Sequence, residues 1–176
     1  MNTPQIADDE TWEDVLARRL PLLGHRNWIV VADSAYPAQS NPGIETIATG
    51  EGHIEVLDKT LKAIARCKHV RANVLLDSEL RFVAEEDAPG VTAFRRDLFQ
   101  RLDDQSACEL GHEQIISRLD ERGRLFRILI FKSTLCIPYS SIFLELDCGY
   151  WNAASEAHLR SSVKDASEAP DVSRST

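Results

Sequence analysis

Short runs of apolar residues alternate along the chain with longer segments in which apolar residues recur every three or four positions. The short runs are typical of strands buried on both faces of a sheet, and the longer period is typical of amphipathic helices. The clearest strand is Trp28–Ala32, and the clearest helices are Ile54–Cys67 and Thr92–Leu102. The same patterns predict helices that begin at Thr11 and His112, and strands at residues 45–49, 70–76, 108–110, 125–131 and 142–146.

Strands that alternate with helices predict a single α/β domain of three layers, helix–sheet–helix. The central sheet is predicted to be mixed but mostly parallel, because the loop of residues 132–141 between the last two strands is too short for a helical crossover. We expect a flexible leader at residues 1–10 and the folded domain at 11–149. A disordered tail is expected at 150–176, where Ala, Ser, Glu, Asp and Arg leave almost no apolar anchor.

The charge pattern narrows the class of partner. The chain of 176 residues has a formal net charge of −8, and its basic residues are interleaved with acidic ones, as in Arg95-Arg96-Asp97. Nucleic-acid binding needs clustered basic residues, so we exclude it. No apolar run approaches the roughly 18 residues of a membrane span, and the polar, acidic N-terminus predicts no secretory signal. The four cysteines form no C-x-x-C pair, which indicates a reducing cytoplasm rather than a disulfide framework or a zinc site.

Motifs for cofactor chemistry are missing from the sequence. It contains neither a G-x-x-x-x-G-K-[ST] phosphate loop nor a G-x-G-x-x-G turn, and it has no G-x-S-x-G nucleophile elbow. The five histidines do not show the spacing of the common metal-binding helices. We therefore expect no cofactor and no metal.

The candidate chemistry lies in polar residues at the ends of predicted elements. His25 precedes the first strand, and Asp33 follows it, where ligands usually bind in open α/β sheets. A histidine exchanges protons near neutral pH, and a carboxylate within reach could hold its tautomer or bind a hydroxyl group. His112, Tyr139 and Ser141 complete the set. Structural roles stay open at this point, such as an Asx-turn for Asp33 or an aromatic cover on the core for Tyr139.

These residues resemble the motifs of the ribose pyranase/fucose mutarotase family (RbsD/FucU). The dipeptide Gly24-His25, a strand ending in Asp33 and the segment Tyr36–Ser40 look like the family's opening signature. The segment His112–Gln114, at the start of a late helix, is similar to one that supplies a sugar-binding residue in the ribose branch. Tyr139–Ser141, followed by an apolar strand, looks like the family's terminal Tyr-x-Asn.

The resemblance runs in the same order along the chain from about residue 16 to residue 149, and it implies an RbsD-like fold and an activity. The family interconverts sugar anomers or ring forms without a cofactor, in rings of subunits that are often decamers, with the site at a subunit boundary. It implies that His25 is the proton donor and acceptor, and that Asp33 binds sugar hydroxyls or orients His25. The substrate-binding residues it implies are Asp33, His112, Tyr139, Ser140 and Ser141.

The chain departs from the family pattern at several positions. Ser141 stands where the family has Asn, and the loop before Tyr139 is longer. Gln39 and Ala35 stand where the fucose branch often has histidines, so the sugar is left open between fucose, ribose and others. Ser141 and the longer loop favour a second hypothesis, a monosaccharide-binding protein without catalysis. A third hypothesis is an α/β domain for an unrelated ligand, such as a hydroxy acid or a nucleoside.

Overall fold

The computed structural model describes residues 10–102 and 107–168. In chain order its elements are α1 (Trp12–Arg19), β1 (Trp28–Ala32), β2 (Ile44–Ala48), α2 (His53–Ala65), β3 (Val70–Asp77), α3 (Val91–Leu102), β4 (Ala107–Leu110), α4 (His112–Gly123), β5 (Ile128–Lys132), β6 (Ile142–Cys148) and α5 (Ala153–Glu168). Short 3₁₀ segments follow α1 and β3, at Leu20–Leu22 and Ser78–Phe82.

The strands form one mixed sheet in the order β2-β5-β1-β6-β3-β4. β6 runs antiparallel to both of its neighbours, β1 and β3, while the other adjacent pairs are parallel. The carboxyl ends of β1 to β5 and the amino end of β6 therefore lie at one edge of the sheet, here named the carboxyl edge. The opposite edge, named the amino edge, holds the chain before β1 and the end of β6. The predicted α/β fold with a mixed, mostly parallel sheet is confirmed.

Helices cover both faces of the sheet. Successive side chains of β1 point to opposite faces and so pack into two different apolar clusters. Ile29 and Val31 pack with residues of α1, α2 and α3, whereas Trp28 and Val30 pack with residues of α4. All five side chains of β1 are fully buried, which explains why this strand is apolar at every position. The predicted three layers are confirmed, with β1 in the centre.

The bounds of most elements agree with the sequence pattern to within one or two residues, and the largest difference among the strands is at β5. The apolar pattern begins at residue 125, but the strand begins at Ile128. The backbone N–H groups of Leu125 and Phe126 both donate to the carbonyl of Arg122, so these residues close the turn after α4 instead of joining the sheet.

The prediction of a disordered tail is wrong for residues 153–168, which form α5. Asn152 caps this helix, since its side chain accepts the N–H of Ser155 at 2.9 Å, and Glu156 pairs with Arg160 one turn later. Ala, Glu and Arg are good helix formers even where no apolar face is buried, and this explains the difference. The part of the tail beyond 168 and residues 1–9 of the predicted leader lie outside the described residues.

Two further properties bear on the predicted class. Among the described residues, no helix combines the length and the apolar character that crossing a membrane needs. The four cysteines, Cys67, Cys108, Cys136 and Cys148, are all free.

Candidate functional site

Asp33 and Ser141 meet at the carboxyl edge, between the end of β1 and the start of β6. The Ser141 hydroxyl donates to Asp33 Oδ2 at 2.9 Å and accepts the backbone N–H of Asp33 at 3.3 Å. The other carboxylate oxygen of Asp33 accepts the N–H of Ala35 at 2.8 Å, which is the Asx-turn considered above. Asp33 is thus held in one orientation from both sides, and it is still half-buried rather than closed off.

His112 and Tyr139 lie together at the same edge. The His112 ring meets the Tyr139 ring edge to face, with 5.4 Å between centroids and 83° between planes. Both side chains are partly open to solvent, at 34% exposed for the His112 side chain and 41% for Tyr139. Tyr139 has a φ of 56°, a left-handed conformation that is uncommon outside glycine. Ser140 is fully buried and fixes this turn, because its hydroxyl donates to the Ile137 carbonyl at 2.6 Å.

Two carboxylates contact His112, one at its backbone and one at its ring. Its backbone N–H, at the start of α4, donates to both oxygens of Glu79 at 3.0 and 3.1 Å. Its ring Nδ1 lies 3.1 Å from Oδ2 of Asp77, the last residue of β3. Accepting the His112 N–H lowers the pKa of Glu79. Burial raises the pKa of Asp77 to about 6, although the hydrogen bond and charge of His112 oppose the rise. Glu79 and Asp33 raise that pKa further by charge repulsion.

His25 lies at the amino edge, away from this group. Its Nδ1 is 2.9 Å from Oδ1 of Asp147, near the end of β6, and Asp147 is also paired with Arg71. Partial burial raises the pKa of Asp147, but hydrogen bonds from Arg71 and His25 outweigh this effect and hold the pKa below its ordinary value. A carboxylate only accepts, so Nδ1 carries a hydrogen and the neutral ring has its lone pair on Nε2. The side chain is 58% exposed, and within the described chain Nε2 has no hydrogen bond. His25 is one of the residues that line an open cavity of about 380 Å³.

The expected contact between His25 and Asp33 does not exist within one chain. The two residues flank β1 on opposite ends, and its five residues alone span about 16 Å at the usual rise of a strand. His25 instead turns to β6, because the antiparallel pairing of β1 with β6 brings the residues before β1 next to residues 145–147. The structure therefore brings Asp33, His112, Tyr139, Ser140 and Ser141 to one edge and leaves His25 at the other.

Sequence reasoning missed the two carboxylates that orient the histidines, Asp77 and Asp147. Asp77 carries the same signal as Asp33, since each is a carboxylate at the carboxyl end of an apolar strand. Asp147 has no comparable signal. Its contact with His25 depends on the register between β1 and β6, which the apolar pattern does not fix.

The raised pKa of Asp77 predicts a pH-dependent cost in stability. A carboxyl group whose pKa rises from 3.8 to about 6 on folding favours the folded state below pH 4, and this contribution is lost as the pH rises through about 6. Relative to wild type, Asp77→Asn should therefore gain up to about 3 kcal/mol in free energy of unfolding between pH 4 and pH 7. Urea unfolding of both proteins at one protein concentration measures the difference, and a difference that stays flat with pH would contradict the buried carboxylate.

The described residues contain no group of three or more His, Cys, Asp or Glu side chains arranged to hold a metal ion. Asp33, Asp77 and Glu79 nevertheless place three acidic side chains near one another at the carboxyl edge. Such an edge suits a neutral ligand with hydroxyl groups and repels a phosphorylated one.

Comparison with known proteins bears on the fold. No family model matches the chain, and no curated protein matches it either. Among solved structures, Bacillus subtilis RbsD complexed with D-ribose is similar with a TM-score of 0.53 and 18% identity, over 81% of this chain and 98% of that one. The fucose mutarotase of Streptococcus pneumoniae in complex with L-fucose is similar with a TM-score of 0.52 and 18% identity, over 80% and 98% of the two chains.

The chain has an RbsD/FucU-like fold. Nearly the whole of each of these two proteins has a counterpart here, whereas about a fifth of this chain has none in them. The RbsD/FucU-like fold predicted from the motifs is confirmed. At this level of identity the likeness concerns the fold, and the roles of His25, Asp33 and the other site residues stay predictions.

Proposed function

We propose that this protein interconverts the anomers or ring forms of a monosaccharide such as fucose or ribose, as a mutarotase or pyranase without a cofactor. The observation that carries the proposal is the pair formed by His25 and Asp147, which leaves an exposed Nε2 able to move a proton. The fold supports it, because two proteins that share the fold are an RbsD complexed with D-ribose and a fucose mutarotase complexed with L-fucose.

Opening and closing the sugar ring requires only proton transfer from the protein. The anomeric hydroxyl must lose a proton and the ring oxygen must gain one as the ring opens, and the steps reverse on closure. A positioned acid–base group contributes about 10²–10⁴-fold to such a reaction. His25 fits this role, because Asp147 orients its ring and stabilises the imidazolium that forms when Nε2 takes a proton. Asp147 thus takes the orienting role that the sequence had suggested for Asp33.

The side chains at the carboxyl edge fit the recognition of a polyol. Asp33 and His112 offer oxygen and nitrogen atoms to sugar hydroxyls, and the Tyr139 ring offers an apolar face and a phenol. Ser140 and Ser141 are buried, so in this proposal they shape the turn and orient Asp33, and their backbone groups are the parts nearest the sugar.

A complete site then requires two copies of the chain. His25 and the sugar-binding group lie at opposite edges, so the amino edge of one copy must meet the carboxyl edge of the next. Such a head-to-tail contact is heterologous, and in this proposal its rotation closes the copies into a ring rather than an open filament. The proposal therefore includes a homo-oligomer, such as a decamer, with the site at the subunit boundary. A cytoplasmic location belongs to the same proposal and agrees with the four free cysteines.

The second candidate function is monosaccharide binding without catalysis. Ser141 favours it, because its hydroxyl is already engaged with Asp33 and offers the sugar less than the amide of the family's Asn would. A ligand could then be held at the carboxyl edge with its anomers exchanging at the rate seen in buffer.

Saturation transfer by NMR between the anomers of ribose, fucose and a small sugar panel distinguishes these functions. We expect the protein to speed exchange of at least one sugar well above its rate in buffer. Chemical-shift changes without faster exchange would favour the binding protein. If no sugar changes the spectrum, both proposals fail and an unrelated ligand, such as a hydroxy acid or a nucleoside, becomes the better hypothesis.

A further inference from the structure

Asp77 is a buried carboxylate whose place in the fold needs a reason. The residue is 2% exposed at the end of β3. Its Oδ2 contacts the ring of His112, while its Oδ1 is buried without a hydrogen-bond partner in the described structure. Burying a carboxylate with one oxygen unpaired is costly, and an apolar residue of similar size would avoid that cost. The fold therefore does not benefit from Asp77, which points to a role in what His112 does.

The contact with Asp77 fixes the hydrogen positions on the His112 ring. Above about pH 6 Asp77 is ionised and can only accept a hydrogen bond, so Nδ1 of His112 carries the hydrogen. In the neutral ring the lone pair is then on Nε2. The charged or titratable groups that face Asp77 are His112 from α4, Glu79 from the 3₁₀ segment after β3, and Asp33 and Tyr36 from the loop after β1.

The neighbours of His112 leave Nε2 as the available atom. Glu79 accepts a hydrogen bond from the backbone N–H, Asp77 contacts Nδ1, and Tyr139 packs against the ring. Nε2 has no hydrogen bond in the described part of the chain, although the side chain is 34% exposed. The residue is thus held through its backbone and on two sides of its ring, and one acceptor atom of the ring is left free.

We propose that Asp77 is a positioning residue that keeps His112 in its Nδ1–H tautomer, so that Nε2 accepts a hydrogen bond from a hydroxyl of the bound sugar. The sugar part of this inference rests on the proposed function, whereas the tautomer does not. The arrangement gives the site a preference for a ligand that donates a hydroxyl hydrogen at this position, and it rejects an analogue in which that hydroxyl is missing or methylated.

Nitrogen-15 NMR of the histidine side chains at pH 7.5 tests the tautomer directly. In wild type we expect His112 to show a protonated Nδ1 and an unprotonated Nε2. In Asp77→Asn the amide no longer demands a donor, and the Nε2–H tautomer should become the major one. Asp147→Asn is the matched control: the same change, made behind His25, should leave the His112 signals unchanged. Mainly Nε2–H in wild type, or unchanged His112 signals in Asp77→Asn, would overturn the proposal.

Measurements of sugar affinity test the other part of the proposal, that Nε2 of His112 accepts a hydrogen bond from the sugar. For the sugar that binds most tightly in the panel, Asp77→Asn should weaken binding about tenfold, the usual effect of one lost hydrogen bond in a partly buried site. The same change made in a His112→Ala background should have no further effect, because Asp77 acts through His112. Equal losses in both backgrounds would overturn the positioning role. A wild type that shows the Nδ1–H tautomer but binds no sugar would overturn the proposed function and still support Asp77 as the residue that sets the tautomer.

Discussion

Replacing His25 with alanine is expected to lower the protein's anomer-exchange rate by a factor of about 10²–10⁴, the usual contribution of a positioned acid–base group. The imidazole is the exposed proton carrier at the amino edge, and alanine leaves only solvent water to accept the proton. Sugar affinity should change little, because the predicted binding groups lie at the other edge. NMR saturation transfer measures the rate, and titration of sugar chemical shifts measures the affinity.

The fold should tolerate this change, because an exposed ion pair such as that of His25 with Asp147 contributes only about 0–1 kcal/mol. His158→Ala is the matched control, since His158 is an exposed histidine on α5, outside the candidate site. The control should exchange anomers at the wild-type rate. Wild-type exchange in His25→Ala would remove His25 from the mechanism.

Much of the fold could be predicted because its central strand is unambiguous. Trp28–Ala32 is apolar at all five positions because both faces of β1 are covered, and a short, continuous apolar run of this kind is typical of such a strand. The sequence was less informative where backbone hydrogen bonds decide the outcome. The apolar residues Leu125 and Phe126 have the pattern of a strand but close a turn. The segment of α5 has the composition of a disordered tail but forms a helix, because a local cap and an ion pair stabilise it without a buried apolar face.

Some residues of the candidate site could also be predicted from the sequence, and others could not. Asp33 and His112 were predictable, since both follow strands whose carboxyl ends share one edge. The partner of His25 was not, because it depends on β6 returning antiparallel beside β1. The result is two imidazoles, each backed by a carboxylate, at opposite ends of the sheet: His25 with Asp147 and His112 with Asp77. In a head-to-tail ring, both would face the same junction.

Two impaired variants should therefore restore activity to each other when they assemble together. Asp33→Asn keeps an oxygen for the Ala35 N–H but loses the charge, and we expect it to lower exchange at least about tenfold, as for a lost hydrogen bond to a charged group. His25→Ala is damaged only at the other edge. In a 1:1 co-assembled mixture, random order leaves about a quarter of the junctions with both residues intact. The exchange rate of the mixture should approach that fraction of the wild-type rate.

The double variant, His25→Ala with Asp33→Asn, provides the control for this experiment. Mixed 1:1 with wild type, it should leave about a quarter of the sites intact if each site is shared between copies, and about half if each chain carries its own. A shared site thus predicts equal recovery in both mixtures. A site confined to one chain predicts recovery only in the mixture that contains wild type, and that result would contradict the head-to-tail junction on which the mechanism of His25 depends.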